Sequence, residues 1–286
     1  MNIIYIDQKN ATIATKQNQL FINTQQIPFK LIDTIILSGN YNLKTKDILH
    51  ITQNNISILF ISNNLAKSAI IHSANAKNSE LKLKQYTKAS TTPIDIAKYI
   101  LTNKITSHNQ HLKELNLKSN STYLTKIQNA NSLDELLGIE GSYSRYYFIQ
   151  YFKQFPKKIC KGKRSKQPPL DPLNAMLSFT YTLFYNLISI RLASFGFEPS
   201  IGFLHRPFRE HYALSSDILE IYRAPINGFV KELFTSKTLT INDFTKQKGV
   251  YLKYNSRKNF WNSFNAFYQT QQSKIDNTIS EIRSLL

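Results

Sequence analysis

DPLNAMLSFTYTLFYNLISI, residues 171–190, determines the architecture of this chain, because none of the 19 residues after Asp171 carries a charge. A run of about 20 apolar residues is long enough to span a bilayer. This run, however, contains six Asn, Ser and Thr side chains, and no second apolar run flanks it. We therefore predict a buried helix. Asp171 is its expected N-cap, Pro172 lies in its first turn, and Gly196 ends it.

Further helices are predicted before this run. From Ser79 to Gln128 apolar residues recur every three to four positions, as in amphipathic helices. The segment from Ser132 to Glu135 is a capping-box pattern that begins a helix running to Phe155. That helix contains Gly138 and Gly141, and a glycine inside a helix costs about 1 kcal/mol relative to alanine. We therefore expect another backbone or a ligand to approach the helix closely there.

The N-terminal part of the chain has a different pattern. Short segments rich in Ile, Leu and Phe alternate with Asn, Gln, Gly and Pro, which is typical of strands. The predicted strands are Ile3–Asp7, Thr12–Thr15, Leu20–Ile22, Leu31–Leu37 and Ile56–Ile61, with one short helix at Thr45–Thr52. Between residues 73 and 82 the sequence pattern changes from short strand-like segments to the helical spacing of apolar residues. We predict an α+β protein, with a small N-terminal β-domain at residues 1–75 and a larger all-helical C-terminal domain at residues 76–286.

Positive charge is concentrated in the second domain. The formal net charge is +18, and residues 1–75, with six Lys and three Asp, contribute only +3 of it. A field of this sign favours a polyanionic partner, with nucleic acid as the leading candidate. The alternative is a solvated loop that only keeps the protein soluble. The densest basic patch consists of Lys153, Lys157, Lys158, Lys161, Lys163, Arg164 and Lys166.

The cysteine content and the N-terminal sequence argue against disulfide-bonded, four-cysteine zinc and secreted proteins. The single cysteine, Cys160, excludes an intrachain disulfide and a four-cysteine zinc site. It lies within the basic patch, where cations would lower the pKa of a thiol, but no base is near it in sequence and we expect an ordinary free thiol. The first residues show no basic leader followed by an apolar run, so we expect a soluble, cytoplasmic protein without a membrane partner.

Phosphodiester chemistry in a basic protein usually recruits divalent cations, which need oxygen ligands and sometimes one imidazole. Three places offer such ligands: Glu140 between the helix glycines, His205 in a loop, and Asp217 with Glu220 on one face of a predicted helix. Each of these residues also has an explanation that involves no metal ion. Glu140 can face solvent, His205 can be a hydrogen-bonded loop residue, and Glu220 can pair with Arg223.

A rival ligand set lies earlier in the chain. His108 and His111 stand three residues apart with Glu114 three residues further on, which is helical spacing. Their Asn- and Lys-rich surroundings predict an exposed helix face instead of a metal site. Composition alone therefore predicts a nucleic-acid-binding protein and leaves its metal chemistry open.

Four segments follow one another along the chain: LGIEGSYSRYYF at 137–148, KRSKQPPLDPLNAMLSF at 163–179, GFEPSIGFLH at 196–205 and ALSSDILEIYR at 213–223. In their order and in their residues, these segments strongly resemble motif blocks of the CRISPR-associated adaptation nuclease, the integrase subunit that inserts new spacers into CRISPR arrays. The strand-rich start, from Ile27 to Ile61, is similar to the N-terminal domain of that family. The resemblance therefore covers nearly the whole chain.

The resemblance implies an N-terminal domain for dimerisation and partner contact, a helical catalytic domain that binds DNA, and a homodimer. It also implies that a small second adaptation protein bridges two dimers, and that double-stranded DNA, as prespacer and as CRISPR repeat, is the substrate. Glu140, His205 and Asp217 match the family positions that hold one Mg²⁺ or Mn²⁺ ion. We also predict contacts to DNA phosphates, because four positively charged residues lie close to these motifs in the sequence: Arg145, Lys163, Arg164 and Lys166.

The activity implied is attack by a terminal 3′-hydroxyl on a phosphodiester, or nicking of branched DNA with water as nucleophile. Two alternatives remain open, a branched-DNA repair nuclease and a non-catalytic DNA-binding scaffold. Two departures from the family pattern concern DNA positioning. Arg209-Glu-His211 stands where a Gly-Arg is frequent, and Asn227 and Gly228 stand where an acidic residue is expected.

Overall fold

The computed structural model describes residues 3–62, 67–72, 78–206 and 211–286. The chain divides into two units, of which the first holds Met1–Lys77 with Tyr268–Ser273 and the second holds Asn78–Phe267 with Lys274–Leu286. The predicted boundary between residues 75 and 76 lies outside the described residues, and so does Arg209 of the first family departure.

The N-terminal unit contains two small sheets and one helix. Its elements are β1 Ile3–Ile6, β2 Ile13–Lys16, β3 Gln19–Ile22, β4 Gln25–Pro28, β5 Thr34–Ser38, α1 Thr45–Gln53, β6 Ser57–Ile61 and β7 Ser68–Ile71. One sheet has the order β1-β5-β6-β7, with β7 antiparallel to β6 and the other pairs parallel. β2, β3 and β4 form an antiparallel sheet. β5 is buried along its whole length because it lies between two strands and carries an apolar run.

Each predicted strand and the predicted helix has a counterpart in this unit, although the predicted strand at Leu31–Leu37 begins only at Thr34. The structure adds β4 and β7, which the sequence pattern does not predict. Both are edge strands without a single buried residue, so neither carries the alternation of apolar and polar residues by which a half-buried strand is recognised.

The second unit is mostly helical, which confirms the α+β class. The helices are α2 Ser79–Thr91, α3 Ile94–Glu114, α4 Thr122–Asn129, α5 Leu133–Phe152, α6 Pro172–Ser194, α7 Ala213–Thr235 and α8 Arg257–Ser284. The domain predicted to be all-helical also contains a hairpin, β8 Phe244–Lys246 and β9 Val250–Leu252. Strands of three residues are too short for a periodic pattern to show in the sequence.

α6 is buried on nearly every side, as predicted from its uncharged sequence. Its N-terminus is capped by Asp171, whose Oδ1 accepts a hydrogen bond from the backbone N–H of Asn174 at 2.8 Å. Gly196 follows its C-terminus with φ of +92°, the left-handed conformation that favours glycine. α7 packs against both α3 and α6, and α5 packs against α3. Among the described residues, no helix has the length and hydropathy to cross a membrane.

α5 begins as predicted, ends at Phe152 and not at the predicted Phe155, and differs in two further details. Ser132 Oγ accepts a hydrogen bond from the backbone N–H of Glu135, whereas the Glu135 carboxylate accepts from Asn131 and not from Ser132. Among the described residues, no other part of the chain approaches Gly138 or Gly141, because no atom lies within 4 Å of the position that a Cβ would take at either glycine. The expected backbone approach is therefore wrong for these residues, whereas the approach of a ligand stays a prediction. Both glycines therefore leave an open surface on α5.

Candidate active site

Helices α3, α5 and α7 bring three charged side chains to one point. Lys104 of α3 contacts Glu140 Oε1 of α5 with its Nζ atom, which also lies 2.6 Å from Glu220 Oε2 of α7. Ser144, one turn beyond Glu140, donates a hydrogen bond to Glu140 Oε1 at 2.7 Å and accepts one from Lys104 at 3.0 Å. The side chains of Lys104 and Glu220 are buried, while that of Glu140 is 22% exposed. Solvent therefore reaches the cluster at Glu140.

Glu220 is held by two cations. Its Oε1 lies 2.7 Å from Nη2 of Arg223, so the predicted pairing of these residues on one helix is confirmed. Burial by itself would raise the pKa of Glu220, but Arg223 and Lys104 hold that pKa well below its ordinary value. Burial likewise opposes the charge of Arg223, and Glu220 raises the pKa of Arg223 in spite of it. Glu220 is therefore a carboxylate at neutral pH.

Asp217 of α7 holds the loop that carries His205. Asp217 Oδ2 accepts hydrogen bonds from the backbone N–H groups of Phe203 and Leu204 at 2.6 and 3.0 Å. Its Oδ1 accepts from the backbone N–H of His205 at 2.9 Å and pairs with His205 Nδ1 at 2.7 Å. An ionised carboxylate can only accept, so Nδ1 carries a proton, and in the neutral imidazole Nε2 keeps its lone pair. Asp217 is fully buried and both of its oxygens are in use.

The turn around Asp217 requires a glycine. A Cβ at Gly202 would lie 2.8 Å from Asp217 Oδ2 and 2.9 Å from both the carbonyl carbon and the Cβ of Ala213. No side chain fits in that space without moving the carboxylate or the start of α7. Gly202 thus lets the backbone come close enough for Phe203 and Leu204 to donate to Asp217.

His205 lies within electrostatic reach of Glu220. Burial would lower the pKa of the His205 imidazole, but the hydrogen bond to Asp217 and the charges of Asp217 and Glu220 raise it overall. The His205 side chain is 31% exposed, so its ring lies at the surface of the cluster. An imidazole that is influenced by two ionised carboxylates can bind either a proton or a metal ion.

The predicted ligand residues are brought together in two pairs. Glu140 meets Glu220 through Lys104, and His205 meets Asp217 directly. Within the described parts of the chain, no three His, Cys, Asp or Glu side chains are spaced to hold a metal ion as they stand. The sequence pattern did not reveal Lys104, whose only signal is a lysine among the apolar positions of α3.

The donor set nevertheless suits a divalent ion. Glu140 and Glu220 offer carboxylate oxygens and His205 offers Nε2, a combination that Mg²⁺ and especially Mn²⁺ accept. The buried Oε2 of Glu220 accepts no hydrogen bond of good geometry, although Lys104 Nζ is near it. Asp217 offers less, because four hydrogen bonds already use its two oxygens. A site built from these residues would have Glu140, Glu220 and His205 as ligands.

The predicted DNA-contact residues differ in exposure. Arg145, Lys163 and Lys166 are exposed. The guanidinium of Arg164 instead donates to Asn174 Oδ1 at 2.9 Å and to Ser178 Oγ at 3.0 Å. Arg164 is therefore engaged within the loop that carries the lysines.

Lys166 extends toward the acidic cluster. Lys166 is exposed as a whole residue, but partial burial of its ammonium, followed by the charges of Arg223 and Arg164, lowers the pKa of Lys166, whereas Glu220 and Glu140 act in the opposite direction. Arg223 lies over the ring of Tyr181, 4.9 Å from the ring centroid. Positive charge thus surrounds the two glutamates.

The rival histidine set lies in the core. His108 and His111 are both buried, so the exposed face predicted for them is wrong. His108 Nδ1 is 2.8 Å from the Lys104 carbonyl oxygen, and His111 Nδ1 is 2.7 Å from the Tyr147 hydroxyl. Burial lowers the pKa of His108 to about 3 and that of His111 to about 4. Gln110, Lys113 and Glu114 occupy exposed positions beside them, but Asn109 is itself buried, so polar neighbours in sequence do not mark an exposed helix face here.

Cys160 is also buried, and its Sγ accepts a hydrogen bond from the backbone N–H of Gly162 at 3.3 Å. Burial raises the pKa of the thiol to about 11. The lowering expected from the surrounding lysines is therefore wrong, because those lysines point to solvent while the sulfur lies in the protein. A neutral thiol of this kind agrees with the prediction of an ordinary free cysteine.

Known proteins resemble this chain over its full length. The model of the family described as CRISPR associated protein Cas1 matches residues 4–266. The CRISPR-associated endonuclease Cas1 1 of Thermodesulfovibrio yellowstonii is 31% identical over 300 residues, which cover 96% of this chain and 93% of the relative.

Solved structures share the fold. A Cas1 protein from Thermotoga maritima superposes with a TM-score of 0.89 at 20% identity, covering 100% of this chain and 96% of that one. A casposase bound to integration product gives 0.82 at 22% identity, over 93% and 82% of the two chains. A chain of a partial Cas6-RT-Cas1–Cas2 complex gives 0.61 at 22% identity, over 99% and 97%. The sequence matches and the shared fold lead to one conclusion: the chain belongs to the Cas1 family of CRISPR adaptation endonucleases and integrases.

Proposed function

We propose that this protein is a metal-dependent DNA integrase and endonuclease that inserts new spacer DNA into a CRISPR array. The observation that supports this function is the convergence of Glu140 and Glu220 on one point, with His205 within electrostatic reach. Bound there, Mg²⁺ or Mn²⁺ would polarise a phosphodiester and favour the deprotonated form of a 3′-hydroxyl.

In this proposal the ligands are Glu140, Glu220 and His205. The family resemblance points to Asp217 as a ligand, but its four hydrogen bonds favour a different role. Asp217 fixes the tautomer and the direction of the His205 ring, which leaves Nε2 as the atom that would bind the ion. Asp217 is then a positioning residue, and Glu220, one turn further along α7, supplies the second carboxylate.

The reaction exchanges one phosphodiester for another. The 3′-oxygen of the incoming strand bonds to phosphorus in the repeat, the P–O bond to the neighbouring nucleotide breaks, and the proton of the attacking hydroxyl ends on the oxygen that leaves. No external energy source is needed because the bonds formed and broken are alike. With water as the nucleophile, the same residues would nick DNA.

Exposed basic side chains would hold the DNA backbone. Arg145 lies on α5 with Glu140, and Lys163 and Lys166 lie in the loop before α6. We assign these three residues to phosphate contacts, which position the duplex without reading its sequence. Arg164, through its bonds to Asn174 and Ser178, would hold that loop in place.

The proposed partners are those of the family. A homodimer bridged to a second dimer by a small adaptation protein is expected, and the chain that shares this fold in the Cas6-RT-Cas1–Cas2 complex is found together with Cas2. The casposase that shares the fold was solved with integration product. Prespacer DNA and the CRISPR repeat are the proposed substrates, and the cytoplasm is the proposed location.

Two other functions are compatible with the fold. A non-catalytic scaffold would need no acidic cluster, so the buried Glu220 and its cations argue against it. A branched-DNA repair nuclease would use the same residues with water as nucleophile. A CRISPR array and a gene for a small partner next to this gene would favour the integrase.

Strand transfer tests the proposal directly. A short duplex with free 3′-hydroxyl ends is incubated with a repeat-bearing plasmid, with and without Mn²⁺. Glu140→Gln, His205→Ala and Glu220→Gln should each abolish joining and leave salt-sensitive DNA binding in place. Glu232→Ala removes an exposed carboxylate from the same helix as Glu220 and should join DNA normally. Joining by the Glu140→Gln, Glu220→Gln double variant, or joining by wild type with all metal chelated, would show that the site is assigned wrongly.

A further inference from the structure

Lys104 is the only buried lysine among the described residues. It lies in the middle of α3, where its nearest neighbours on the buried face of the helix are Leu101, Ile105 and His108. An ammonium group surrounded by apolar side chains is strongly unfavourable unless anions and hydrogen bonds compensate it. The compensation comes from two other helices, through Glu140 of α5 and Glu220 of α7.

The ammonium of Lys104 occupies the place of a cation. It donates hydrogen bonds to Glu140 and Ser144 of one helix and forms an ion pair with Glu220 of another. Those two carboxylates are also the oxygen ligands assigned to the divalent ion in the proposed function.

Charges in the cluster balance without any added ion. Glu140 and Glu220 carry two negative charges, and Lys104 and Arg223 carry two positive ones. A divalent ion bound by the same carboxylates would add two positive charges next to a buried ammonium. Two positive groups that contact the same carboxylates repel each other strongly in a poorly solvated site, so binding of the ion and the presence of the ammonium disfavour each other.

We infer that Lys104 is a tethered counter-cation, which holds Glu140 and Glu220 together in the metal-free protein and competes with the divalent ion for their oxygens. This inference rests on the metal site of the proposed function. It assigns Lys104 a positioning role with two effects. The acidic pair stays assembled before metal arrives, and metal binds less tightly than the carboxylates alone would allow.

Metal affinity of a neutral variant tests the competition. Lys104→Met keeps most of the side-chain volume and removes the charge. At pH 8 we expect it to bind Mn²⁺ at least tenfold more tightly than wild type in titration calorimetry. The matched control is Lys98→Met, which removes a positive charge from the same helix at a site where Nζ only contacts the carbonyl oxygen of Gln128. Its Mn²⁺ affinity should stay within twofold of wild type.

Thermal unfolding provides a second readout. Without metal, Lys104→Met should melt at a lower temperature than wild type, because its two glutamates have lost a shared cation. Saturating Mn²⁺ should then raise its melting temperature more than that of wild type. If Lys104 only supports the fold, Mn²⁺ will shift both proteins equally, and the inference is overturned.

Wild-type protein gives a test that does not depend on the folding of a variant. Crystal structures with and without Mn²⁺ should show Lys104 Nζ leaving at least one of the two glutamates when the ion binds. If the ammonium keeps both contacts beside a bound ion, the inference about Lys104 is overturned and the proposed metal site still stands. If wild-type protein binds no Mn²⁺ at all, the proposed metal site fails as well.

Discussion

Asp217 Oδ1 pairs with both the backbone N–H and the ring Nδ1 of His205, at 2.9 and 2.7 Å. One buried oxygen thus fixes both the loop and the imidazole that the loop carries. The other oxygen fixes Phe203 and Leu204 in the same way. The direction of the His205 ring is therefore set by a residue twelve positions later in the chain, at the first turns of α7.

Asp217→Asn tests this positioning role. The amide keeps the shape of the carboxylate but turns one acceptor into a donor that faces backbone N–H groups. We expect Mn²⁺ affinity and strand-transfer rate to fall by about 10- to 100-fold, the usual effect of losing a residue that orients a metal ligand. Calorimetry and the joining assay measure the two quantities. Asp134→Asn, which neutralises an exposed partner of Arg206, is the control and should change neither. Wild-type Mn²⁺ affinity in Asp217→Asn would contradict the role.

Gly202→Ala tests the close packing around the same carboxylate. The added methyl group would lie 2.8 Å from Asp217 Oδ2 and 2.9 Å from the backbone of Ala213. We expect the free energy of unfolding to fall by about 1–3 kcal/mol, as for other overpacked sites, and joining activity to fall with it. Urea denaturation measures the first effect.

Gly138→Ala is the matched comparison, because nothing lies within 4 Å of its Cβ position in the exposed part of α5. Alanine there should stabilise the protein by up to about 1 kcal/mol through helix propensity, with activity unchanged. A loss of DNA joining in Gly138→Ala together with normal stability would indicate that DNA or a partner packs on this glycine.

Local sequence signals predicted the correct elements where the decisive contacts are short-range. The N-caps Ser132 and Asp171 bond to backbone groups three residues away, and Gly196 ends α6 through its own backbone conformation. The hairpin β8–β9 was not predicted because a residue far away in the sequence holds it: the backbone N–H of Val250 donates to the carbonyl oxygen of Pro169, 81 residues earlier.

The candidate active site was predictable only in part for the same reason. Motifs identified Glu140, His205 and Asp217, but spacing along one helix face cannot tell which of Asp217 and Glu220 points to the loop. Lys104 carries no motif, and its role depends on α5 and α7 folding against α3. The burial of His108 likewise comes from the packing of those helices and not from its polar sequence neighbours.

Stability should fall on mild acidification because of two buried histidines. His111 has an ordinary pKa of 6.5, which burial lowers to about 4, and His108 falls to about 3. Above pH 6.5 both are neutral whether the chain is folded or unfolded. As pH falls from 6.5 towards 4, the unfolded chain binds protons that the folded protein does not, so the stability contributed by the neutral imidazoles is lost.

For His111 alone the loss is on the order of 3 kcal/mol across that window, at about 1.4 kcal/mol for each pKa unit. Denaturation curves at pH 7 and pH 4.5 measure it. His111→Gln keeps a hydrogen-bonding group next to Tyr147 but cannot take up the proton. The variant should therefore lose less stability than wild type over the same pH range. An equal loss in both proteins would assign the acid sensitivity to other groups.

The basic loop before α6 should separate into residues that bind DNA and a residue that holds the loop. Lys163 and Lys166 are exposed, whereas Arg164 donates to Asn174 and Ser178. Replacing both lysines by alanine should weaken DNA binding and lower the slope of log affinity against log salt by roughly 1.8, about 0.9 for each phosphate contact. Fluorescence anisotropy at several salt concentrations measures that slope. Unfolding should be unaffected.

Arg164→Ala should behave in the opposite way. It removes the three hydrogen bonds that the guanidinium donates to the Ser165 carbonyl oxygen, Asn174 Oδ1 and Ser178 Oγ, so we expect a loss of about 2 kcal/mol in the free energy of unfolding. DNA affinity should fall only as far as the loop loses its shape, and the salt slope should stay close to that of wild type. A slope lowered by about 0.9 with unchanged stability would instead place the Arg164 guanidinium on a phosphate, and the loop would then be held by Asn174 through its bonds to Lys163 and Ser165.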